Sequence, residues 1–187
     1  MKQAKKVCIC IIGLALSLQL ALPAAISAKE KTAPVLNLRD IKGKKISSTE
    51  MLKNGPVLVW FWNSCCGIKK KQVEALKATY SKYKDKGLQI IAISEDGVKK
   101  TAKTKQAVNV YKMPFIIAMD KSRNILGQFQ AFAVPSIYLI NKEGNIVFTH
   151  SGYMPGDEKK LDAALVPLFQ GAAKEDATEK STDKKGE

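Results

Sequence analysis

The sequence predicts an α/β domain in which a mixed central sheet has helices on both of its faces and an N-terminal hairpin beside it. Residues 57–62 and 88–93 are strongly apolar and have the composition of strands that are covered on both faces. The segment between them repeats apolar residues every three or four positions, which is the period of an amphipathic helix. Strand, helix and strand, followed by a second strand–helix unit and a hairpin, favour a sheet between two helical layers.

The elements before the first buried strand are short. Residues 29–33 have the composition of a linker. Residues 34–39 alternate apolar and polar side chains and are followed by a Lys-Gly-Lys turn at 42–44, so a small hairpin is expected there. Residues 47–54 are expected to form one helical turn, which leads into the strand at 57–62.

The elements after that strand follow the same alternation. The apolar spacing predicts a helix over 67–84 that ends at Gly87, and a polar, lysine-rich helix over 97–109. The remaining strands are predicted at 115–119, 137–140 and 146–149, with the last two forming a hairpin. A short helix or irregular segment is expected over 124–132, and a terminal helix over 157–166 that Pro167 should end or kink.

The N-terminal 28 residues have the pattern of a secretory signal peptide: three lysines, an apolar run over 7–22 and small residues around Ala28. Export to a periplasmic or other extracytoplasmic compartment is therefore predicted. An uncleaved membrane anchor is the alternative, although a spanning helix usually needs about 20 apolar residues. Residues 29–170 are then one domain, predicted to be a monomer, and the polar tail 171–187 is expected to be disordered.

The net charge is +14, and the lysines are spread along predicted helices and turns. A solvated surface is the simplest interpretation, with anionic partners or membrane surfaces as the alternative. Nucleic acid is not predicted as a partner, because the chain is expected to be exported and no stacking platform or binding motif is visible.

Two cysteines, Cys65 and Cys66, remain after the predicted signal peptide. Adjacent cysteines cannot join distant segments, so a disulfide scaffold is excluded. These thiols follow a buried strand and precede a helix, a position where redox chemistry is often placed. Free N–H groups at a helix start favour an anion there, and Lys69 and Lys70 are one turn away, so we expect Cys66 to be a nucleophilic thiolate. An inert thiol at the end of a strand is the alternative.

The stretch Val-Leu-Val-Trp-Phe-Trp-Asn-Ser-Cys-Cys at 57–66, together with Val134-Pro135 and the strand at 137–140, resembles the thioredoxin fold. It is most similar to the extracytoplasmic TlpA/ResA-like branch, over residues 33–169. The resemblance implies a three-layer sandwich and thiol–disulfide oxidoreductase activity. It also implies that Pro135 is cis, that the Val134–Pro135 loop lies beside the attacking sulfur, and that this loop pairs its backbone with the substrate.

The active-site motif of that family is degenerate here. In the family the strand ends in Trp-Cys-x-x-Cys, whereas this chain has Cys-Cys-Gly-Ile-Lys. The resemblance places Cys66 at the attacking cysteine and Lys69 at the resolving cysteine. Gln72 stands where relatives often carry a glutamate thought to move protons. Trp60 stands where classical thioredoxins bury an aspartate.

A lysine cannot break a mixed disulfide, so a thiol from outside would have to release the substrate from Cys66. This predicts monothiol exchange, isomerisation or deglutathionylation, with protein disulfides or mixed disulfides as substrates and an external thiol as reductant. Cys65 is predicted to be a small apolar filler, with a resolving role as the alternative. Trp62 is predicted to line the core and the site wall, or to be exposed and contact a partner.

Two other functions stay open. Loss of the second cysteine, the helix glutamate and the strand aspartate favours a redox-silent module that binds a protein or peptide. A Cu(I) carrier would use the two cysteines with His150 and Met154, since thiolates select Cu(I). His150 is otherwise predicted to be a surface residue at a strand end, and no cofactor or zinc site is predicted. Peroxide reduction has no support, because no Pro/Thr-flanked peroxidatic pattern precedes Cys66.

Overall fold

A six-stranded sheet forms the centre of the computed structural model, which describes residues 31–64, 69–120, 122 and 124–170. 3₁₀ turns span Lys84–Lys86 and Val98–Lys100. In chain order the strands and α-helices are β1 (Lys31–Thr32), β2 (Asn37–Arg39), β3 (Lys45–Ser47), α1 (Ser48–Leu52), β4 (Val57–Trp62), α2 (Lys70–Tyr83), β5 (Gln89–Ser94), α3 (Thr101–Val110), β6 (Ile116–Met119), α4 (Asn124–Gln128), β7 (Ser136–Ile140), β8 (Asn145–Ser151) and α5 (Asp157–Gln170).

The sheet is mixed, as the sequence predicts. Its strand order is β1-β8-β7-β4-β5-β6. Strands β4, β5 and β6 run parallel, whereas β7 pairs with β4 and β8 in the antiparallel sense. Strands β2 and β3 form a separate antiparallel hairpin with Leu38 opposite Ile46, which confirms the predicted N-terminal hairpin. This hairpin touches the free side of β6 through a bridge between Asp40 and Ala118.

The side chains of β4 alternate between two hydrophobic cores, one on each face of the sheet. Its even-numbered residues pack with α2 and α5 on one face of the sheet. Its odd-numbered residues pack with α1 and α4 on the other face. Every residue of β4 is at most 1% exposed. The unbroken apolar run therefore reflects burial on both faces, and the predicted layer of helices on each face is confirmed.

Gly87 ends the α2 region with a left-handed φ of 100°, as predicted. It lies back to back with Gly55, and a Cβ atom on either glycine would collide with backbone of the other loop. This close approach brings the starts of β4 and β5 side by side.

The prediction of a linker over 29–33 is wrong for Lys31 and Thr32, which lie in the described part of the chain. Lys31 and Thr32 form β1 and pair with Ile146 and Asn145 at the outer side of β8. A two-residue strand is held by backbone hydrogen bonds to an available sheet edge, so it needs no apolar alternation that a sequence could reveal.

The prediction that the terminal helix ends at Pro167 is also wrong, because α5 continues through Pro167 to Gln170. The ring of Phe169 stacks on Tyr83 with centroids 5.0 Å apart. This packing holds the last turn in place although Pro167 donates no backbone hydrogen bond.

No helix among residues 31–64 and 69–170, as far as they are described, is long and apolar enough to cross a bilayer. The predicted signal peptide at 1–28 and the predicted tail at 171–187 lie outside the described residues.

Candidate active site

The predicted site lies at the side of the sheet where β4 and β5 end and β7 begins. Trp62 is opposite Ser94, and Ser136 is opposite Phe61, so these three strand ends meet. We call this side the cysteine edge. Cys65 and Cys66 follow β4 in sequence and lie outside the described residues, as do Gly67 and Ile68. The described parts of the cysteine edge are 63–64, 69–72, 95–100, 131–135 and 152–157.

The Val134–Pro135 peptide bond is cis, which confirms the prediction for this bond. Its loop is tied to the neighbouring strands. The backbone N–H of Gly152 donates to the Pro135 carbonyl at 2.7 Å, and the Ser136 hydroxyl donates to the Ala133 carbonyl at 2.6 Å. Pro135 therefore has a fixed place beside the end of β4, from which the chain continues to the two cysteines.

The two lysines at the start of α2 have different partners. The Nζ of Lys69 donates to the Tyr153 carbonyl at 3.2 Å, across the cysteine edge. The Nζ of Lys70 is 3.7 Å from Glu74 on the exposed side of the helix. Lys69 is also the N-cap of α2 and gives it no side-chain cap, so the first N–H groups of the helix keep their capacity to bind an anion.

Gln72, where the family resemblance expects an acid, is only 2% exposed. Its Nε2 is buried and has no hydrogen-bond partner among the described residues. The side chain lines a cavity of about 20 Å³, shared with Ile137, His150 and Tyr153, which is room for one water molecule. A neutral amide at this position can donate a hydrogen bond, but it cannot exchange a proton as a carboxylate does.

Trp62 is 1% exposed, so the prediction that it contacts a partner from an exposed position is wrong. Its ring stacks on Trp60 with centroids 5.6 Å apart and an interplanar angle of 19°. Trp60 also meets the edge of Phe115. The alternation of β4 places Trp60 and Trp62 on the same face, and burial of both rings confirms the prediction of a core role.

Sequence reasoning missed Asp96, which is 1% exposed and comes two residues after the end of β5. Its Oδ2 accepts hydrogen bonds from the Ser64 backbone N–H (2.9 Å), the Ser94 hydroxyl (2.9 Å) and the Thr104 hydroxyl (2.7 Å). The carboxylate thereby joins the end of β4, the end of β5 and α3. An acid directly after a buried parallel strand was the available signal, because neighbouring parallel strands end at the same edge.

The hydrogen bonds of Asp96 decide its charge. Burial alone would raise the pKa of Asp96, but the hydrogen bonds from Thr104, Ser64 and Ser94 outweigh burial and hold that pKa below its ordinary value. Asp96 is therefore a carboxylate at neutral pH.

His150 lies near the end of β8 and is partly exposed there, with a carboxylate partner that the sequence does not reveal. Its side chain is 23% exposed, and its Nε2 lies 2.8 Å from Asp157 Oδ2. The same carboxylate accepts from the Met154 backbone N–H at 2.7 Å and from Lys160 Nζ at 3.1 Å. Together with the smaller contribution of His150, these contacts lower the pKa of Asp157 from 3.8 to about 2.

The described residues give the Cu(I) alternative no support. His150 is paired with Asp157, and Met154 is 71% exposed. Among the residues that the structure describes, no group of three His, Cys, Asp or Glu side chains could hold a metal ion. The two cysteines of that alternative lie outside this part of the chain.

Large apolar side chains are exposed on three connections of the cysteine edge. Phe132 is 99% exposed, Met154 71% and Val98 64%. The carboxylates of Glu95 and Asp96 at this edge are buried, with the residues at most 8% exposed. The side chains of Lys69 and Lys70 remain exposed, so this surface is apolar and cationic.

Comparison with known proteins agrees with the described fold. The AhpC/TSA family matches residues 30–149. The chain belongs to the AhpC/TSA family. Its described fold is that of thioredoxin-like structures: a thiol:disulfide interchange protein from Bacteroides sp. is 28% identical with a TM-score of 0.63, covering 78% of this chain and 92% of that one. A thiol-disulfide oxidoreductase from Bacteroides fragilis is 25% identical with a TM-score of 0.61, covering 70% and 99%.

Two curated relatives are thiol-disulfide oxidoreductases named ResA. The protein from Bacillus thuringiensis (strain Al Hakam) is 35% identical over 117 residues, which are 63% of this chain and 66% of the relative. The protein from Bacillus subtilis is 30% identical over 122 residues, which are 65% and 66%. The match thus spans just under two thirds of each relative's length. These findings confirm the resemblance to the thioredoxin fold and to its ResA-like members.

The Asp157 carboxylate should stabilise the folded protein in a pH-dependent way. Because its pKa is lowered from 3.8 to about 2 on folding, its contribution is present above about pH 4 and is lost as the pH falls toward 2. We expect Asp157→Asn to unfold at lower denaturant concentration than the parent at pH 7. The difference should shrink between about pH 4 and pH 2, measured by urea unfolding at each pH.

The matched control is Asp85→Asn, on the exposed 3₁₀ turn after α2. It should change stability by less than about 0.5 kcal/mol. A difference between Asp157→Asn and the parent that stays constant across this pH range would contradict the lowered pKa.

Proposed function

We propose that this chain is an exported thiol–disulfide oxidoreductase that acts through Cys66 as its single nucleophile. The observation that carries the proposal is the place of Pro135, which directly precedes the residue opposite Phe61 and so lies beside the end of the strand that leads to Cys66. The ResA relatives, named thiol-disulfide oxidoreductases, support the reaction class. The basic and apolar N-terminal segment supports export, with an uncleaved anchor as the variant of this proposal.

The exchange runs in two balanced steps. The Cys66 thiolate attacks one sulfur of a substrate disulfide, forms a mixed disulfide with it and expels the other sulfur as a thiolate. An external thiolate then attacks the substrate-derived sulfur of this mixed disulfide. Cys66 leaves as a thiolate, and the substrate sulfur forms a disulfide with the external thiol. If a second thiolate of the same substrate makes that attack, the disulfide is isomerised and no net oxidation or reduction occurs.

The start of α2 supplies the groups that favour the thiolate. The uncapped first turn of the helix attracts an anion, and the ammonium of Lys69 lies on the side of the cysteine edge that Tyr153 occupies. Lys69 stands at the position of a resolving cysteine, and its amine cannot take part in sulfur exchange. This is why an external thiol is part of the proposal.

The first prediction concerns the nucleophile. Cys66→Ser should lose the ability to reduce a glutathione mixed disulfide on a model peptide, because a hydroxyl is not ionised at neutral pH. Cys65→Ser is the matched control and should keep the parent rate. The rate of glutathione release is measured with excess external thiol, and a fully active Cys66→Ser protein would rule out the proposed mechanism.

The second prediction concerns the missing resolving thiol. In Lys69→Cys a thiol stands three residues after Cys66, so the mixed disulfide on Cys66 should resolve within the chain. We expect the glutathionylated variant to release glutathione without added thiol, whereas the glutathionylated parent stays modified. Mass spectrometry of the intact protein over time distinguishes the two, and Lys70→Cys serves as the control for a thiol at the neighbouring position.

A redox-silent binding module is the second candidate function, and the exposure of Phe132 and Met154 favours it. These side chains lie on two connections that meet at Pro135, through the Gly152–Pro135 hydrogen bond. Burial of an aromatic and a thioether side chain would contribute to binding a polypeptide whether or not Cys66 reacts. The two functions share this surface and differ in whether a covalent step follows.

A third prediction tests this surface. Phe132→Ser should slow the reaction of the chain with a peptide mixed disulfide by about tenfold, if burial of the ring contributes about 1.4 kcal/mol in the transition state. The reaction with glutathione disulfide should be unchanged. The control is Val110→Ser at the end of α3, away from the cysteine edge, where the wild-type side chain is 67% exposed. Equal slowing with both substrates would contradict a docking role for Phe132.

A further inference from the structure

We propose that the β2–β3 hairpin and α3 together form a docking face for an anionic lipid bilayer. The inference goes beyond the proposed function and is independent of it, because neither cysteine takes part. We call this surface the basic face, and its members are Arg39, Lys42, Lys99, Lys103, Lys105 and Lys112.

The first observation is the charge of the two segments that form the basic face. Residues 37–47 contain four basic residues and one acid, and residues 97–119 contain five lysines and no acid. Every member of the basic face is exposed. The hairpin and α3 therefore present a positive surface that is complementary to anionic head groups.

The second observation is that the acids next to the basic face are held by backbone donors. Asp40 Oδ1 accepts the backbone N–H groups of Lys42 and Lys44, both at 2.8 Å. Asp120 is 3% exposed, and its carboxylate accepts backbone N–H groups of the first turn of α4. Asp96, before α3, is 1% exposed. The lysines are thus at the surface, whereas the neighbouring carboxylates are buried or engaged in turns.

The third observation is that the hairpin and α3 meet in two clefts. Arg39 and Lys105 line a cleft of about 390 Å³, and Lys42 and Lys112 line a second cleft of about 540 Å³. Ile41 lines both clefts and so lies between them. Each cleft combines a basic residue of the hairpin with a lysine of α3 or of the turn after it. Two separate recesses suit discrete anionic head groups better than one extended acidic chain.

The outward side of α3 is uncharged along its centre. Ala102, Gln106 and Asn109 are exposed and follow one another at spacings of four and three residues, so they lie on one side of the helix. Val110 is 67% exposed next to them. Small neutral and apolar side chains with lysines beside them are typical of helices that lie on a membrane surface. This composition favours a bilayer over a soluble acidic partner.

The expected strength follows from the number of lysines that reach the bilayer. Each lysine close to an anionic surface strengthens binding by about fivefold. At physiological salt the Debye length is about 8 Å, so a lysine on another side of the molecule contributes little. The proposal therefore makes a prediction about position as well as about net charge.

The test measures which lysines a bilayer protects. The full chain is mixed with vesicles of phosphatidylglycerol or of phosphatidylcholine, and lysine acetylation by an N-hydroxysuccinimide ester is followed residue by residue with mass spectrometry. We expect the phosphatidylglycerol vesicles to slow acetylation at the lysines of the basic face and to leave Lys84, Lys142 and Lys159 unchanged. Phosphatidylcholine vesicles should slow neither group, and they show what residues 1–28 contribute.

A charge-reversed chain carries Lys99→Glu, Lys103→Glu and Lys105→Glu together. Protection is then measured at Lys42 and Lys112, which this chain keeps. The concentration of phosphatidylglycerol that gives half protection should rise by about 100-fold, because three lysines are lost at about fivefold each.

The matched control carries Lys84→Glu, Lys142→Glu and Lys159→Glu, which change the net charge equally at exposed positions on other elements. It should change the half-protecting concentration by less than about threefold, because screening limits the reach of these charges. Equal weakening in both chains would overturn the proposal, since attraction would then depend on net charge alone.

Two results with the parent chain would also overturn the proposal. One is equal protection of all the exposed lysines by the anionic vesicles. The other is protection of the basic face by soluble polyglutamate but not by vesicles, which would assign it to an acidic polypeptide. The parent chain also decides the case in which the charge-reversed chain does not fold. Salt at about 1 M shortens the Debye length to about 3 Å and should remove the protection, and protection that persists would contradict the proposal.

Discussion

The two-sided burial of β4 is the constraint on which the rest of this structure depends. Each residue of the strand pairs with β5, Val57 to Phe61 also pair with β7, and helices cover the strand on both faces. Such a strand has little freedom in register or direction, since a shift by one residue would exchange the two cores. The position at which the chain leaves β4, three residues before Cys65 in the sequence, is therefore fixed by packing.

Because β4 itself is entirely apolar, the polar groups of the site come from its neighbours. Trp60 and Trp62 fill the core on the α2 side, which leaves no place for a carboxylate on this strand. Asp96 enters from the end of β5, and Lys69 enters from the start of α2. Gln72 and His150 border one small cavity next to the same edge. The site is thus assembled from residues at or near the ends of neighbouring strands and helices, on a rigid apolar base.

Most of the fold could be predicted from the sequence, because the apolar periods of β4, β5 and α2 are strong local signals. The cis bond at Pro135 could be predicted only through the family resemblance. The contacts of Asp96 and of Asp157 could not be predicted. They depend on which strand ends meet and which backbone N–H groups face a carboxylate, and neither is encoded by a local pattern. The exposure of Phe132 was equally hidden, since neighbouring apolar residues in the same loop are partly buried.

The partial cover of β8 and β6 at the two sides of the sheet affects how copies of this domain associate. A free strand edge is a template on which another chain can add, and this is a route to aggregation. Here β1 covers the start of β8, the ladder between β7 and β8 is irregular at Leu139 and Ile140, and the β2–β3 hairpin bridges to β6 through Asp40 and Ala118. These features disfavour edge-to-edge association of copies through backbone pairing.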